Sequence, residues 1–334
     1  MKKKLISLVI IIIATIAVLY FSLKDDYTTI VNTAFNINKY WFLFSFVLLF
    51  GYYFFRSLVI YKIAMDFNPT YKFKNALRLV LETNFFHAVT PFATGGQPYE
   101  IYSLNRNKIK ISDAMSISVG NFIVYQIALV FLGLLSIIAN YFLKIVKTSI
   151  LKKLVTLGFA INFLVIIILL FISFSKKTDK TIVDFFIDLL CKLKIIRNKE
   201  KIKEKFHNYL KDFNMGSIML LKNKKRFIAL IIMHLISLIC LYLIPLCLFL
   251  GIGINVDAYV CIIIMSYVML IGSFVPIPGG TGGLEYGFVT FFSGILPSSR
   301  LNAIMLVWRF ITYYFGMILG AVILNIKKEK KRWE

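Results

Sequence analysis

Long apolar runs separated by short polar segments dominate the sequence. Six of these runs reach the roughly 20 residues that span the hydrocarbon core of a bilayer. They are residues 5–23, 40–62, 114–143, 152–173, 227–250 and 301–325. Because lipid offers no hydrogen-bond partner to open backbone groups, such runs must be helical. The pattern predicts an all-α polytopic integral membrane protein, with residues 1–334 forming a single membrane domain with about six full spans.

The first run, residues 5–23, follows three lysines and therefore also has the pattern of a signal peptide. No small-residue A-x-A cleavage pattern follows it, and Asp25 and Asp26 come next instead. We therefore interpret this run as an uncleaved first span.

Two further apolar stretches are interrupted by proline and glycine. Residues 79–104 contain TPFATGGQPYEIY, and residues 256–298 contain VPIPGGTGGLEYG. Proline removes a backbone donor and disfavours helix at the preceding residue, so we expect each stretch to fold back as a re-entrant hairpin. The residues expected to break the helices are Pro91, Pro98, Pro276 and Pro278.

Lysine and arginine mark the cytoplasmic side of short membrane loops. They put the amino terminus, the tail 327–334 and the segment 176–226 inside. The segment 176–226 is predicted to be a basic amphipathic helix on the inner headgroups or a soluble helical cap. The hairpin 79–104 then enters from the inside and the hairpin 256–298 from the outside. This arrangement is typical of inverted repeats, whose binding site lies near the middle of the membrane.

Composition and charge narrow the class of partner. The chain is 59% hydrophobic, which excludes an ordinary soluble domain, and its net charge is +23. The basic residues stand at the ends of apolar runs, so membrane phospholipids and not nucleic acid are the expected partners. Four cysteines lack zinc-ligand spacing, and no metal or cofactor is predicted. They are Cys191, Cys240, Cys247 and Cys261.

The first break is a candidate anion site. Gly95 and Gly96 allow a turn that exposes backbone amides. Gln97 follows, and Pro98 suits the first turn of a new helix. Helix amino termini attract anions, so a phosphate is a reasonable ligand. The alternative is a structural kink that only packs two half-helices.

The second break is richer in glycine. The pairs Gly279-Gly280 and Gly282-Gly283 can present several amides in one concave turn, and Glu285 should lie on the first turn of the returning helix. No lysine follows these glycines as it does in a nucleotide-binding P-loop, so a nucleotide site is not predicted.

Ionisable residues within the apolar stretches are a further signal, because such residues usually face a partner in the protein interior. The candidates are Arg56, Glu82, His87, Glu100, Glu285 and Arg309. Arg309 could pair with Glu285, with Glu100 or with a lipid phosphate. Arg56 could instead extend to the membrane surface, Glu82 could be interfacial, and His87 could be an ordinary hydrogen-bonded histidine.

Two stretches, GGQPYEIYSLNR (95–106) and VPIPGGTGGLEYGFVTFF (275–292), together with Arg309, resemble the lysylphosphatidylglycerol synthase transmembrane-region family. This is the flippase-like membrane domain of the multiple peptide resistance factor. The resemblance covers about the whole chain and implies translocation of phosphate-headgroup lipids between leaflets. In long members a soluble domain transfers lysine from its tRNA to phosphatidylglycerol. The sequence ends eight residues after Ile326, so we do not expect that activity.

The leading hypothesis is therefore a lipid flippase in a bacterial cytoplasmic membrane, with both termini cytoplasmic. The glycine-rich amides and Arg309 would hold the phosphate, and Gln97, Glu100 and Glu285 would bind a cationic or hydroxyl-bearing part of the headgroup. Arg56 and His87 are accessory candidates. The rivals are a membrane lipid-headgroup transferase and a scaffold for a separate lipid synthase. A homo-oligomer is a further open alternative.

Overall fold

The structure, a computed structural model, describes residues 27–90, 95–174, 223–272 and 277–326. All regular elements in these ranges are helical, which confirms the predicted all-α class. The helices are α1 (Tyr27–Phe35), α2 (Lys39–Ala64), α3 (Phe73–Val89), α4 (Gly96–Arg106), α5 (Ile111–Leu143), α6 (Ser149–Phe174), α7 (Lys224–Tyr242), α8 (Ile244–Gly251), α9 (Ala258–Gly272), α10 (Gly283–Phe292), α11 (Ser298–Arg309) and α12 (Phe315–Asn325). The predicted span 5–23 and most of the predicted amphipathic segment 176–226 lie outside the described residues.

Five helical stretches in this part of the chain are long and apolar enough to cross a membrane. They are α2, α5, α6, α7 with α8, and α11 through α12. The chain is therefore a multi-pass membrane protein. Helices α7 and α8 meet at Leu243, two residues before Pro245, which has no backbone N–H to donate to the hydrogen-bond ladder. Helices α11 and α12 are joined by a π-helical turn, Phe310–Tyr314.

Large apolar side chains are exposed on the outer faces of these helices. Examples are Phe44, Phe50 and Phe54 on α2, and Phe163 and Ile167 on α6. A water-soluble protein rarely exposes apolar surface on this scale, whereas in a bilayer these side chains contact lipid tails. The exposed faces therefore mark the lipid boundary.

The two interrupted stretches form helical pairs. Helix α3 packs against α4, and α9 packs against α10. Helix α3 also packs along α12, where a Cβ atom on Gly320 would lie 2.5 Å from the carbonyl oxygen of Leu81. Glycine thus allows the two backbones to approach closely, as is common between membrane helices. The inverted relation of the two halves stays a prediction.

Helix α5 supports both pairs, because it packs against α4 and against α9. On the α9 side, Ser136 donates a hydrogen bond to the hydroxyl of Ser266 over 3.0 Å, and Tyr267 donates to the Ser136 carbonyl over 3.2 Å. Such polar contacts help to hold membrane helices together, because the hydrophobic effect does not drive helices to associate within lipid. One long helix therefore positions both interrupted segments.

Candidate functional site

The first break lies between α3 and α4. Helix α3 ends at Val89 and is followed by Thr90, which has an extended backbone; α4 begins after Gly95. The Thr90 hydroxyl accepts a hydrogen bond from the Gly95 amide over 2.8 Å and donates one to the Phe86 carbonyl over 2.7 Å. This side chain therefore holds the two half-helices together across the interruption.

Gly96 marks a close approach between the arms of the first hairpin. A Cβ atom at this position would lie 2.0 Å from the His87 ring, so only glycine leaves room for the histidine. Gln97 and Pro98 lie in the first turn of α4, as the sequence predicts. Pro91 lies outside the described residues.

The second break is a tight glycine turn that precedes α10. Gly279, Gly280 and Gly282 have φ angles of 66°, 64° and 87°, in the left-handed region that side chains disfavour. Gly283 is the first residue of α10, and Pro278 begins the turn. Pro276 lies outside the described residues.

Two of the backbone amides expected to be open at this turn are already bonded. The Gly280 amide donates to the Ile277 carbonyl over 2.9 Å. The Gly282 amide donates to the Glu285 carboxylate over 2.6 Å, so that Glu285 caps its own helix. These two groups stabilise the turn, and an anion could bind them only by displacing these partners.

Arg309 is paired with Glu285, one of the three alternatives that the sequence leaves open. Its Nε donates to the Glu285 carboxylate over 2.6 Å, and its Nη2 donates to the Gly279 carbonyl over 3.0 Å. The two side chains are 5% and 12% exposed, so the pair is largely removed from solvent. Arg309 thereby joins the α11–α12 span to both ends of the glycine turn.

Tyr313 connects the two breaks. Its hydroxyl donates to the carbonyl of Ala88, at the end of α3, over 3.0 Å. Its ring lies against the glycine turn, since a Cβ atom at Gly279 would be 2.1 Å from it. The Arg309 guanidinium lies 4.7 Å from the centre of the same ring. The two interruptions lie far apart in the sequence, yet they meet at one side chain on the π-helical turn.

Glu100 lies in a separate polar cluster, on the side of α4 that faces α5. It is 6% exposed and accepts hydrogen bonds from Ser118 over 3.1 Å and from Asn121 over 3.3 Å. The Asn121 side chain also bonds His234 Nε2 over 3.1 Å. This cluster links α4, α5 and α7 through buried polar groups.

Arg56 is partly buried and contacts an aromatic side chain one turn earlier on α2. Its Nη1 donates to the Tyr52 hydroxyl over 2.9 Å, and its guanidinium lies 5.1 Å from the centre of the Tyr52 ring. The Glu100 carboxylate is near enough to interact with it electrostatically.

Glu82 is buried and paired. It accepts from Arg78 over 2.6 Å and from the Tyr99 hydroxyl over 2.6 Å. Arg78 and Glu82 are four residues apart, a helical spacing that the sequence already contains. The pair borders a polar cavity of about 180 Å³ that Arg106 also lines.

Several residues of these clusters were not candidates from sequence. Tyr313, Asn121, His234 and Tyr99 acquire their roles only through contacts between distant segments. The sequence did contain one signal for two of them: Asn121 and His234 are polar side chains within apolar runs, where polar residues are often functional. No sequence pattern marks the π-helical turn.

The family described as "Lysylphosphatidylglycerol synthase TM region" matches residues 4–320. The chain is similar to a protein named "UPF0104 membrane protein" from Archaeoglobus fulgidus. The two are 23% identical over 281 residues, which cover 78% of each chain.

Proposed function

Since the chain belongs to the lysylphosphatidylglycerol synthase transmembrane-region family, we propose that it moves lipids with phosphate-containing headgroups between the leaflets of a membrane. The headgroup crosses through the interior beside the two interrupted hairpins, while the acyl chains remain in the bilayer. The proposed location is the bacterial cytoplasmic membrane, with both termini cytoplasmic.

One observation carries this proposal: the two breaks meet at Tyr313, beside the buried Arg309–Glu285 pair. Irregular backbone at membrane depth persists only where it is buried in protein or lines a cavity. Buried charges inside membrane proteins are likewise typical of substrate pathways. Together these features supply polar groups along the route that a headgroup must take.

A mechanism follows from these contacts. Arg309 is held by the Glu285 carboxylate and the Gly279 carbonyl, so a lipid phosphate must compete with internal acceptors. This competition favours transient binding, which transport requires, over tight capture. Tyr313 then transmits movement of the glycine turn to the end of α3, so that one hairpin shifts against the other.

The test is lipid translocation by the purified protein in liposomes, followed with fluorescent phospholipids and an external quencher. Arg309→Lys keeps the charge but loses the planar fork that contacts two acceptors. Losing a charge-assisted hydrogen bond slows translocation about tenfold if the bond forms in the rate-limiting state. Arg300→Lys is the matched control, because Arg300 is exposed on the same helix.

Wild-type rates equal to those of protein-free liposomes, for every lipid class tried, would overturn the proposal. Mass spectrometry of lipids from cells with and without the protein addresses the rival function. New headgroup chemistry would identify a transferase, whereas a changed distribution between leaflets supports the transporter.

A further inference from the structure

The polar cavity of about 180 Å³ beside the Arg78–Glu82 pair lies where α3 begins and where α4 and α12 end. Its Arg78 and the Ala88 carbonyl that Tyr313 contacts are both on α3. At about 1.5 Å of rise per residue, these two positions are about 15 Å apart along the helix. The cavity is therefore a feature separate from the contact between the two breaks.

The charge that surrounds this cavity is not balanced. Among the described residues that line it, the ionised side chains are Arg78, Arg106 and Glu82, which leaves a net positive charge. Arg78 donates to Glu82 over 2.6 Å and to the Ile323 carbonyl over 3.0 Å. The other Glu82 oxygen accepts from the Tyr99 hydroxyl. Because both oxygens of this carboxylate are already bonded, Arg106 supplies the charge that is left over.

Arg106 is accessible and carries no ion pair within the described part of the chain. Its guanidinium lies 5.7 Å from the centre of the Tyr102 ring and is near enough to the Tyr99 hydroxyl to interact with it electrostatically. Its charge therefore acts on the cavity and remains open to a ligand. Arg309 differs, because it is largely buried and held by Glu285.

Neutral donors complete the lining. Asn75, in the first turn of α3, adds an amide, and Ser103, in the last turn of α4, adds a hydroxyl; both residues are partly exposed. The amino terminus of α3 has no capping side chain, and such helix ends attract anions. Guanidinium, amide and hydroxyl donors that converge in this way are suited to the oxygens of a phosphate group.

The surroundings of the cavity favour a lipid as the source of this phosphate. Tyr102, below Arg106, is 55% exposed, and Ile326, at the end of α12, is 70% exposed. Exposed aromatic and basic side chains at the ends of apolar helices are typical of the membrane–water interface, where lipid headgroups lie. Exposed lysines that flank the same ends of α3 and α4 attract anionic lipids. They are Lys72, Lys74, Lys108 and Lys110.

We propose that this cavity is a docking site for the phosphate of a lipid headgroup, which binds there before it reaches the two breaks. Arg106 and the remaining N–H groups of Arg78 hold the phosphate, and Asn75 and Ser103 bond its other oxygens. This inference rests on the proposed function and adds a first binding step to it. The charge pattern of the sequence predicts that this step occurs on the cytoplasmic side.

The experiment measures binding to the full chain in detergent, through the shift of its thermal unfolding midpoint during a titration. Dihexanoyl phosphatidylglycerol carries both the phosphate and the acyl chains. Dihexanoylglycerol lacks the phosphate, and inorganic phosphate lacks the lipid. Phosphatidylglycerol should raise the midpoint at the lowest concentration, and each of the other two should raise it much less.

Two variants test the charge of the cavity. Arg106→Gln should weaken half-saturation by phosphatidylglycerol about tenfold, because it removes a charge-assisted hydrogen bond. Arg300→Gln removes the same charge at an exposed position on α11 and should leave binding unchanged. Asn75→Asp cancels the net positive charge and should weaken binding about fivefold. Its control is Asn32→Asp, at an exposed position on α1.

The variants should remain folded. Arg106 forms no ion pair among the described residues, and an aspartate in the first turn of α3 is favourable to the helix, so the ligand-free midpoints should stay close to that of wild type.

No shift with phosphatidylglycerol, or equal half-saturation for Arg106→Gln and wild type, would overturn this inference. Inorganic phosphate that binds as tightly as phosphatidylglycerol would identify a free-phosphate site and refute the lipid assignment. An equal effect of dihexanoylglycerol would show that the phosphate is not recognised.

Translocation in liposomes separates the two proposals. Wild-type translocation together with binding that ignores Arg106 refutes the docking site and leaves the transporter intact. Binding that depends on Arg106, without any translocation, refutes the transporter and leaves the phosphate site intact.

Discussion

The Arg309–Glu285 pair offers the sharpest test of how the second break is held. Glu285→Gln removes the negative charge but keeps an oxygen that can still accept from the Gly282 amide. The variant therefore isolates the loss of the ion pair from the loss of the helix cap. Arg309→Gln removes the positive charge and leaves the Glu285 carboxylate largely buried.

The size of the effect follows from burial. Removing one partner of a buried ion pair costs about 3–5 kcal/mol, because the remaining charge is left uncompensated. The side chains are 5% and 12% exposed, so some relaxation by water is possible and the lower end applies. At about 2 °C per kcal/mol for a chain of this size, each single variant should lower the unfolding midpoint by about 6 °C.

The assay is thermal unfolding in detergent of the two single variants, the double variant Glu285→Gln with Arg309→Gln, and the exposed control Arg300→Gln. The double variant carries no unpaired charge, so it should recover at least half of the lost stability. Single variants that unfold within about 1 °C of wild type, or losses that simply add in the double variant, would refute a stabilising ion pair at this position.

Two further predictions concern the glycine turn and the contact between the breaks. Gly279→Ala places a side chain at a φ of 66° and a Cβ 2.1 Å from the Tyr313 ring, so the unfolding midpoint should fall by several degrees. Gly294→Ala is the control, because Gly294 has open space around it and the midpoint should change little. Tyr313→Phe removes the hydroxyl that bonds Ala88 and should slow lipid translocation severalfold. Tyr286→Phe, at an exposed position, should leave the rate unchanged. Equal translocation rates for Tyr313→Phe and wild type would count against coupling of the two hairpins.

Local chemistry made much of the fold predictable. Runs of apolar residues identify helices that must satisfy their own backbone groups in lipid, and proline and glycine identify where those helices stop. The same reasoning put Glu285 in the first turn of α10 and Gln97 at the start of α4, where the structure has them. These features depend on neighbours only a few residues away.

The partners of buried polar groups were not predictable, because they depend on contacts between distant segments. Sequence left Arg309 with three possible partners, and the structure selects Glu285. Sequence left the surroundings of Glu82 open, and the packing of α3 on α12 buries it beside Arg78. The glycine amides were expected to be open, yet the turn bonds the Gly282 amide to Glu285.

The central claim is that the two interrupted hairpins meet and form a polar site for a lipid headgroup. A cryo-electron microscopy map of the protein in nanodiscs that contain phosphatidylglycerol tests it most directly. We predict the Tyr313 hydroxyl within hydrogen-bond distance of the Ala88 carbonyl, and headgroup density beside the Arg309–Glu285 pair. Breaks separated by lipid tails or by an apolar, filled interior would contradict the account.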